Sequence, residues 1–90
     1  MENGKAFEIV LYGRKKCHLC EEVELVIRAL AEEFPLRLAV VDIESDPSLH
    51  EELMLVIPAV AIDGDLAFRS VTHVVTYQEL RQELISRAGR

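Results

Sequence analysis

The chain has 90 residues, half of them apolar, and a formal net charge of −6 at pH 7. This length supplies one domain, which we place at residues 1–90, with a modest hydrophobic core. The acidic balance argues against general nucleic-acid binding, which needs a clustered basic surface. No apolar run approaches the roughly eighteen residues of a membrane span, and the opening Met-Glu-Asn-Gly-Lys has no signal-peptide character. We therefore expect a cytoplasmic protein.

The first half of the chain predicts two strands on either side of an amphipathic helix. Residues 6–12 form an apolar run of β-favouring side chains that Gly13 ends, as in a buried strand. Residues 36–43 are nearly all apolar, which predicts a parallel second strand covered on both faces. Between them, residues 17–34 repeat apolar side chains every three or four positions until Pro35 ends the helix. The predicted buried side of this helix consists of Leu19, Val23, Val26, Ile27, Leu30 and Phe34.

The second half predicts a helix, a hairpin and a last helix. Asp46 and Pro47 suit the cap and first turn of a helix, which would bury Leu49 and Leu53. A turn at 63–64, an Asp-Gly pair, predicts a hairpin. The predicted hairpin strands are 59–62 and 66–69.

Thr76 and Glu79 form a capping-box pattern, so the last helix is expected to start near Thr76 and to bury Leu80, Leu84 and Ile85. The predicted element order along the whole chain is β-α-β-α-β-β-α. The parallel pair and the hairpin together make a mixed four-stranded sheet.

The two cysteines, Cys17 and Cys20, lie where the first helix begins. At this spacing they face the same way and can close a small disulfide with little backbone movement. A helix start also leaves N–H groups unpaired and carries the positive end of the dipole, which favours a thiolate at Cys17 over a thiol. In a reducing compartment a lone pair of this kind is more often catalytic or metal-binding than structural. The pattern predicts redox chemistry.

Three cations, Arg14, Lys15 and Lys16, immediately precede Cys17. Their field is expected to lower the pKa of the Cys17 thiol from the free value of about 8.5. They also form a positive patch on an acidic body, which would steer anionic substrates to the cysteines and help to bind them. His18 is either a protonated neighbour that stabilises the thiolate or a solvated side chain, and the sequence favours neither.

A strand, a loop and a C-x-x-C pair that opens a helix resemble the thioredoxin superfamily. With this element order, the chain looks most like a glutaredoxin-like protein, which implies an α/β, thioredoxin-like fold. The resemblance implies that Cys17 is the nucleophile and Cys20 the resolving thiol. It also matches Pro58 to a proline that follows a cis peptide bond facing the cysteines. Ile57 would then present its backbone to an extended substrate.

The chain departs from the common glutaredoxin pattern in three places. His18-Leu19 stands where Pro-Tyr is common, and Val56-Ile57 stands where Thr-Val is common. No Gly-Gly followed by acidic residues, which helps to hold glutathione, comes after Phe68. The sequence therefore leaves open whether glutathione binds.

We expect a small thiol–disulfide oxidoreductase that exchanges electrons with protein or small-molecule disulfides in electron transport and cell redox homeostasis. The alternatives are a metal or iron–sulfur module, which would need ligands beyond two cysteines, and a redox-inert interaction domain. We expect no resident cofactor, with glutathione a candidate co-substrate. The expected partners are a disulfide-containing protein or glutathione-type substrate and a reductase, with no nucleic acid or membrane partner, and the chain is expected to be a monomer.

Overall fold

The structure, a computed structural model, describes residues 6–89. Its strands are β1 (Phe7–Gly13), β2 (Leu36–Asp42), β3 (Ala59–Ile62) and β4 (Asp65–Phe68). Its helices are α1 (His18–Leu30), α2 (Pro47–Leu53) and α3 (Tyr77–Ala88), with a 3₁₀ turn at Ile43–Ser45. The four strands form one sheet in the order β2-β1-β3-β4, in which β1 and β2 are parallel and β3 is antiparallel to both β1 and β4. The predicted element order and the mixed sheet are confirmed.

The hydrophobic core lies between one face of the sheet and helices α1 and α3. Alternate side chains of β1 point into it, since Ile9 and Leu11 are each 1% exposed. The core side chains contributed by the two helices and by β3 are Val23, Ile27, Leu30, Val60, Ile62, Leu80 and Leu84. Because this packing fixes α1 directly on β1, it also fixes the loop that joins them, where the cysteines lie.

Two local signals of the sequence are realised as predicted. Asp63 and Gly64 have φ values of 51° and 85°, the left-handed pair that a tight hairpin turn requires. At the start of α2, the Asp46 side chain accepts a hydrogen bond from the Ser48 N–H at 2.9 Å, and Pro47 occupies the first turn.

The burial of β2 is not as predicted. The strand lies at one edge of the sheet and is not covered on both faces, since Val40 is 52% exposed. Its apolar composition is typical of a buried strand, but composition does not show which strands become neighbours. Ile43, predicted as its last residue, is buried in the 3₁₀ turn instead.

The helices also differ in detail from the prediction. Helix α1 ends at Leu30, and Phe34 lies beyond it with its ring packed edge-on against Phe7 at 6.4 Å between centroids. Leu19 is 47% exposed, because the buried position in the first turn is taken by Cys20. In α3, Ile85 is 38% exposed rather than buried. These differences are shifts of the buried stripe and of helix ends, not changes of element type.

None of the helices in residues 6–89 is both long and apolar enough to cross a bilayer. The prediction about a signal-peptide start concerns residues 1–5, which lie outside the described residues. The cytoplasmic location stays a prediction.

A reciprocal capping box begins α3. The Thr76 hydroxyl accepts a hydrogen bond from the Glu79 N–H at 3.1 Å, and the Glu79 carboxylate accepts one from the Thr76 N–H at 3.0 Å. The same carboxylate lies 2.8 Å from Nε2 of His73. These hydrogen bonds, first from the Thr76 backbone and then from His73, hold the pKa of Glu79 below its ordinary value.

A carboxylate with a lowered pKa contributes stability that is present above its unfolded-state pKa and is lost as pH falls through its folded-state pKa. We therefore expect Glu79→Ala to lower the free energy of unfolding at pH 7. This loss relative to wild type should shrink as the pH falls below the ordinary glutamate pKa of about 4.3. Urea unfolding between pH 7 and pH 3 measures it, with Glu51→Ala, an exposed change in α2, as the control. A penalty that does not change with pH would contradict this account of the cap.

Candidate redox site

The two cysteines form a disulfide at the start of α1, with 5.2 Å between their Cα atoms. Cys17 is the N-cap residue, and its sulfur accepts a hydrogen bond from the Cys20 N–H at 3.1 Å. Cys17 is partly exposed, whereas Cys20 is only 6% exposed. The helix geometry therefore makes the two cysteines unequal, because Cys17 is open to solvent in part and Cys20 is buried.

The Cys20 side chain packs directly against Gly13, the last residue of β1. A Cβ atom at this position would lie 2.9 Å from the Cys20 sulfur and 3.0 Å from its Cβ, closer than side chains tolerate. From the sequence, Gly13 was only the end of a strand. A glycine just before a cysteine loop is also the signal for close approach of a backbone, but the contact itself is visible only in the fold.

Pro58 lies at the same end of the sheet. Tyr12 pairs with Ala59 across the antiparallel β1–β3 ladder, so the next position outward places Pro58 beside Gly13. The peptide bond between Ile57 and Pro58 is cis, as the resemblance implied. The fold thus brings the proline and the disulfide to the same end of the sheet, although they are far apart in the sequence.

Ser70 holds the loop that contains Pro58, a role that no local sequence pattern marks. Its hydroxyl donates a hydrogen bond to the Pro58 carbonyl at 2.7 Å, and its N–H donates to the Val56 carbonyl at 2.9 Å. Between these anchors, the backbone N–H and carbonyl of Ile57 make no hydrogen bond within residues 6–89. An unpaired stretch of backbone of this kind is able to pair with an added extended segment.

The basic loop lies directly before the disulfide. The Arg14 guanidinium lies 3.9 Å from the Glu44 carboxylate, and the two side chains are 56% and 50% exposed. Lys15 and Lys16 are exposed and have no ion-pair partner in the described part of the chain, and Lys16 has a left-handed φ of 58°. Beside the loop, a cleft of about 310 Å³ reaches Cys20. Its lining carries both signs of charge: Arg14, Lys15, Lys16, Glu21, Glu24 and Asp42.

His18 is 84% exposed in its side chain, and its Nε2 lies 3.3 Å from the Glu22 carboxylate, one helical turn further along. The ring therefore has an acidic neighbour on the outer face of α1. Within residues 6–89, His18 makes no hydrogen bond to either cysteine sulfur. The geometry therefore does not identify His18 as a partner of the cysteines.

Three exposed apolar side chains lie on the segments that converge at the disulfide end of the sheet, and we call them the apolar rim: Leu19, Leu55 and Val71. Their exposed fractions are 47%, 84% and 73%. Leu19 lies in the first turn of α1, while Leu55 and Val71 are one residue away from the hydrogen-bonded pair Val56 and Ser70. This surface was not predicted from the sequence, because an apolar residue is expected to be buried.

Within residues 6–89, no group of three or more His, Cys, Asp or Glu side chains is arranged to hold a metal ion. A metal centre at Cys17 and Cys20 would have to take its other ligands from outside the described residues or from a second molecule.

Replacing Gly13 by alanine tests the close approach of Cys20. The added methyl group overlaps the Cys20 side chain, so Gly13→Ala should cost about 1–3 kcal/mol of folding free energy, as overpacking does. Gly89→Ala is the matched control, because the nearest atom to its Cβ is 3.7 Å away. Urea unfolding of both oxidised variants measures the difference. Equal urea midpoints for Gly13→Ala and wild type would show that Cys20 is not packed tightly against Gly13.

Solved structures share this fold. Protein Ne2328 from Nitrosomonas europaea is 22% identical, with 88% of this chain and 92% of that chain covered and a TM-score of 0.70. A mutant thioredoxin from Halobacterium salinarum is 18% identical, with 93% of this chain and 76% of that chain covered and a TM-score of 0.67. At these identities the likeness shows the fold alone, which is thioredoxin-like.

The family comparison covers most of the chain. The family described as Glutaredoxin-like domain (DUF836) matches residues 8–85, which include both cysteines and Pro58. No curated protein sequence matches the chain. The fold, the cysteine pair and the family match together indicate a redox function. The chain belongs to the family described as Glutaredoxin-like domain (DUF836).

Proposed function

We propose that the protein is a small thiol–disulfide oxidoreductase in which Cys17 attacks a substrate disulfide and Cys20 resolves the product. The observation that carries this proposal is the inequality of the two sulfurs. Cys17 is partly exposed at the helix start, and Cys20 is buried beneath it, within bonding distance. An exposed nucleophile with a resolving thiol behind it suits disulfide exchange.

The reaction transfers two electrons to the substrate. The Cys17 thiolate attacks one sulfur of the substrate disulfide, forms a mixed disulfide, and expels the other substrate sulfur as a thiolate that takes up a proton. Cys20 then loses its proton to solvent and attacks the Cys17 sulfur. The Cys17–Cys20 disulfide forms, and the second substrate sulfur leaves as a thiolate. An external dithiol or two molecules of a monothiol such as glutathione would restore the reduced pair.

The helix start supports the first step. The Cys20 N–H already points at the Cys17 sulfur at 3.1 Å, and the positive end of the α1 dipole lies there. Both interactions are stronger with a thiolate than with a thiol, so they favour the attacking form of Cys17. The neighbouring lysines act in the same direction.

The unpaired backbone of Ile57 would hold the substrate. An extended peptide next to it could form strand-like hydrogen bonds, which are independent of the peptide's side chains. Pro58, which is fully buried, would support the Ile57 backbone from the core side. In this proposal the substrate sulfur would lie above Cys17, and no dedicated pocket would be required.

Protein disulfides fit the surroundings of the site better than glutathione does. The apolar rim offers Leu55 and Val71 to side chains beside a substrate cysteine, and glutathione has no apolar side chain to fill it. On the other side, Lys15 and Lys16 would attract acidic residues of the substrate. We therefore assign an oxidised protein as substrate in the cytoplasm, with glutathione a candidate reductant.

Single-cysteine variants test the two roles. Cys20→Ser should trap a stable mixed disulfide on Cys17, because the resolving thiol is missing. Cys17→Ser should trap little and should lose at least 100-fold in reduction rate, since the buried thiol is a poor nucleophile. Mass spectrometry of each variant after incubation with an oxidised peptide measures the adducts. Comparable adducts on both variants would contradict the assignment.

Neutralising the lysines tests electrostatic steering. Lys15→Gln/Lys16→Gln should slow reduction of a glutamate-flanked disulfide peptide by roughly three- to tenfold at low ionic strength, and this difference should vanish near 0.5 M salt. Arg28→Gln/Arg37→Gln removes the same charge further from the disulfide and is the matched control. Equal slowing in both double variants would mean that only net charge matters and that the basic loop has no specific role.

A further inference from the structure

Ser70 lies where the β3–β4 hairpin would continue toward the disulfide end of the sheet. Val60 is opposite Phe68 in this antiparallel ladder, so moving two residues outward along both strands places Pro58 opposite Ser70. Pro58 has no N–H with which to extend the ladder, and β3 begins only at Ala59. At this position a side chain supplies the missing link.

Both hydrogen-bond donors of Ser70 attach it to the chain before β3. Its N–H donates to the Val56 carbonyl at 2.9 Å, and its hydroxyl donates to the Pro58 carbonyl at 2.7 Å. The Val56 N–H is also used, because it donates to the Leu53 carbonyl at 2.9 Å. The two carbonyls that Ser70 holds therefore belong to the residues directly before and directly after Ile57.

The segments that Ser70 joins are each constrained by other contacts. The Val71 N–H donates to the Arg69 carbonyl at 3.1 Å, which makes Ser70 the central residue of a three-residue turn. On the other side of the link, the Pro58 side chain is fully buried. The Ser70 hydroxyl therefore connects a turn to a buried residue, and the Ile57 backbone lies between the two attachment points.

We propose that Ser70 is a positioning residue for peptide substrates, because its two hydrogen bonds align the Ile57 backbone for strand-like pairing beside Cys17. This inference rests on the proposed oxidoreductase function. With the carbonyls of Val56 and Pro58 already occupied, the N–H and carbonyl of Ile57 are the free backbone groups of this stretch within residues 6–89. An extended substrate is thereby offered one register of pairing.

The role of Ser70 is in binding rather than in the exchange of sulfur bonds. In the part of the chain that the structure describes, Ser70 makes no hydrogen bond to either cysteine, and the Cys17 sulfur is held by the Cys20 N–H. A disulfide without a peptide backbone cannot pair with Ile57, so it gains nothing from the alignment of that backbone. The preference for peptide disulfides over small disulfides should therefore depend on Ser70.

Two disulfides that differ in their backbone test this role. One is a short linear peptide with a single cysteine, oxidised to its disulfide-linked dimer, and the other is hydroxyethyl disulfide. Ser70→Ala should lower the ratio of the rate constants, peptide over small disulfide, by roughly three- to tenfold, the net worth of one hydrogen bond. The loss should lie in the half-saturating peptide concentration and not in the limiting rate. Single-turnover oxidation of the prereduced protein, followed by acid quench and mass spectrometry, measures both.

Two further variants control the comparison. Ser70→Thr keeps the hydroxyl and should restore the wild-type ratio. Ser45→Ala is the matched control, because it also removes a serine hydroxyl that donates to a backbone carbonyl, that of Asp42 at 2.6 Å, and it should leave the ratio unchanged. A general loss of stability would not change the ratio, because unfolded molecules reduce neither disulfide efficiently and both rates fall together.

The outcomes separate this inference from the function on which it rests. A wild type that reduces neither disulfide would overturn the oxidoreductase function and the role of Ser70 together. A wild type that reduces both disulfides, with the same ratio in Ser70→Ala, would overturn the role of Ser70 alone. A ratio that falls equally in Ser70→Ala and Ser45→Ala would also overturn it, since the effect would then not be specific to the Ile57 backbone.

Discussion

The close contact between Cys20 and Gly13 is the constraint on which the site depends. It exists because α1 is packed against β1 through a core of aliphatic side chains, and because Gly13 leaves room for a sulfur above the strand end. The contact fixes the depth of Cys20, and helix geometry then fixes Cys17 one turn earlier, at the N-cap. A loop-borne pair of cysteines would not be held in this unequal arrangement.

The sheet brings together the remaining parts of the site, which are distant in sequence. The antiparallel pairing of β1 and β3 places Pro58 next to Gly13, and Ser70 ties the chain after β4 to the chain before β3. Three connections therefore meet at one end of the sheet, around the disulfide. This convergence follows from topology, since the β1–α1 loop and the chain leading into β3 lie at the same end of the sheet.

How much could be predicted from the sequence depended on the range of each interaction. The Asp46 cap, the Asp63-Gly64 turn and the capping box at Thr76 are short-range hydrogen-bond or dihedral preferences, and all three are confirmed. The C-x-x-C pair at a helix start was recognisable for the same reason. The role of Ser70 was not, because its partners Val56 and Pro58 lie more than ten residues away and no local pattern marks them.

The errors concern which apolar side chains are buried. Leu19 and Cys20 both continue a helical stripe, and only the position of α1 on β1 decides that the cysteine is inside and the leucine outside. Likewise, the composition of β2 predicts burial, whereas strand order leaves it at an edge. In both places the sequence specifies apolar surface that the single chain does not cover. Leu19 and Val40 show why: whether an apolar side chain is buried depends on which element packs over it, and neither helical nor strand periodicity carries that information.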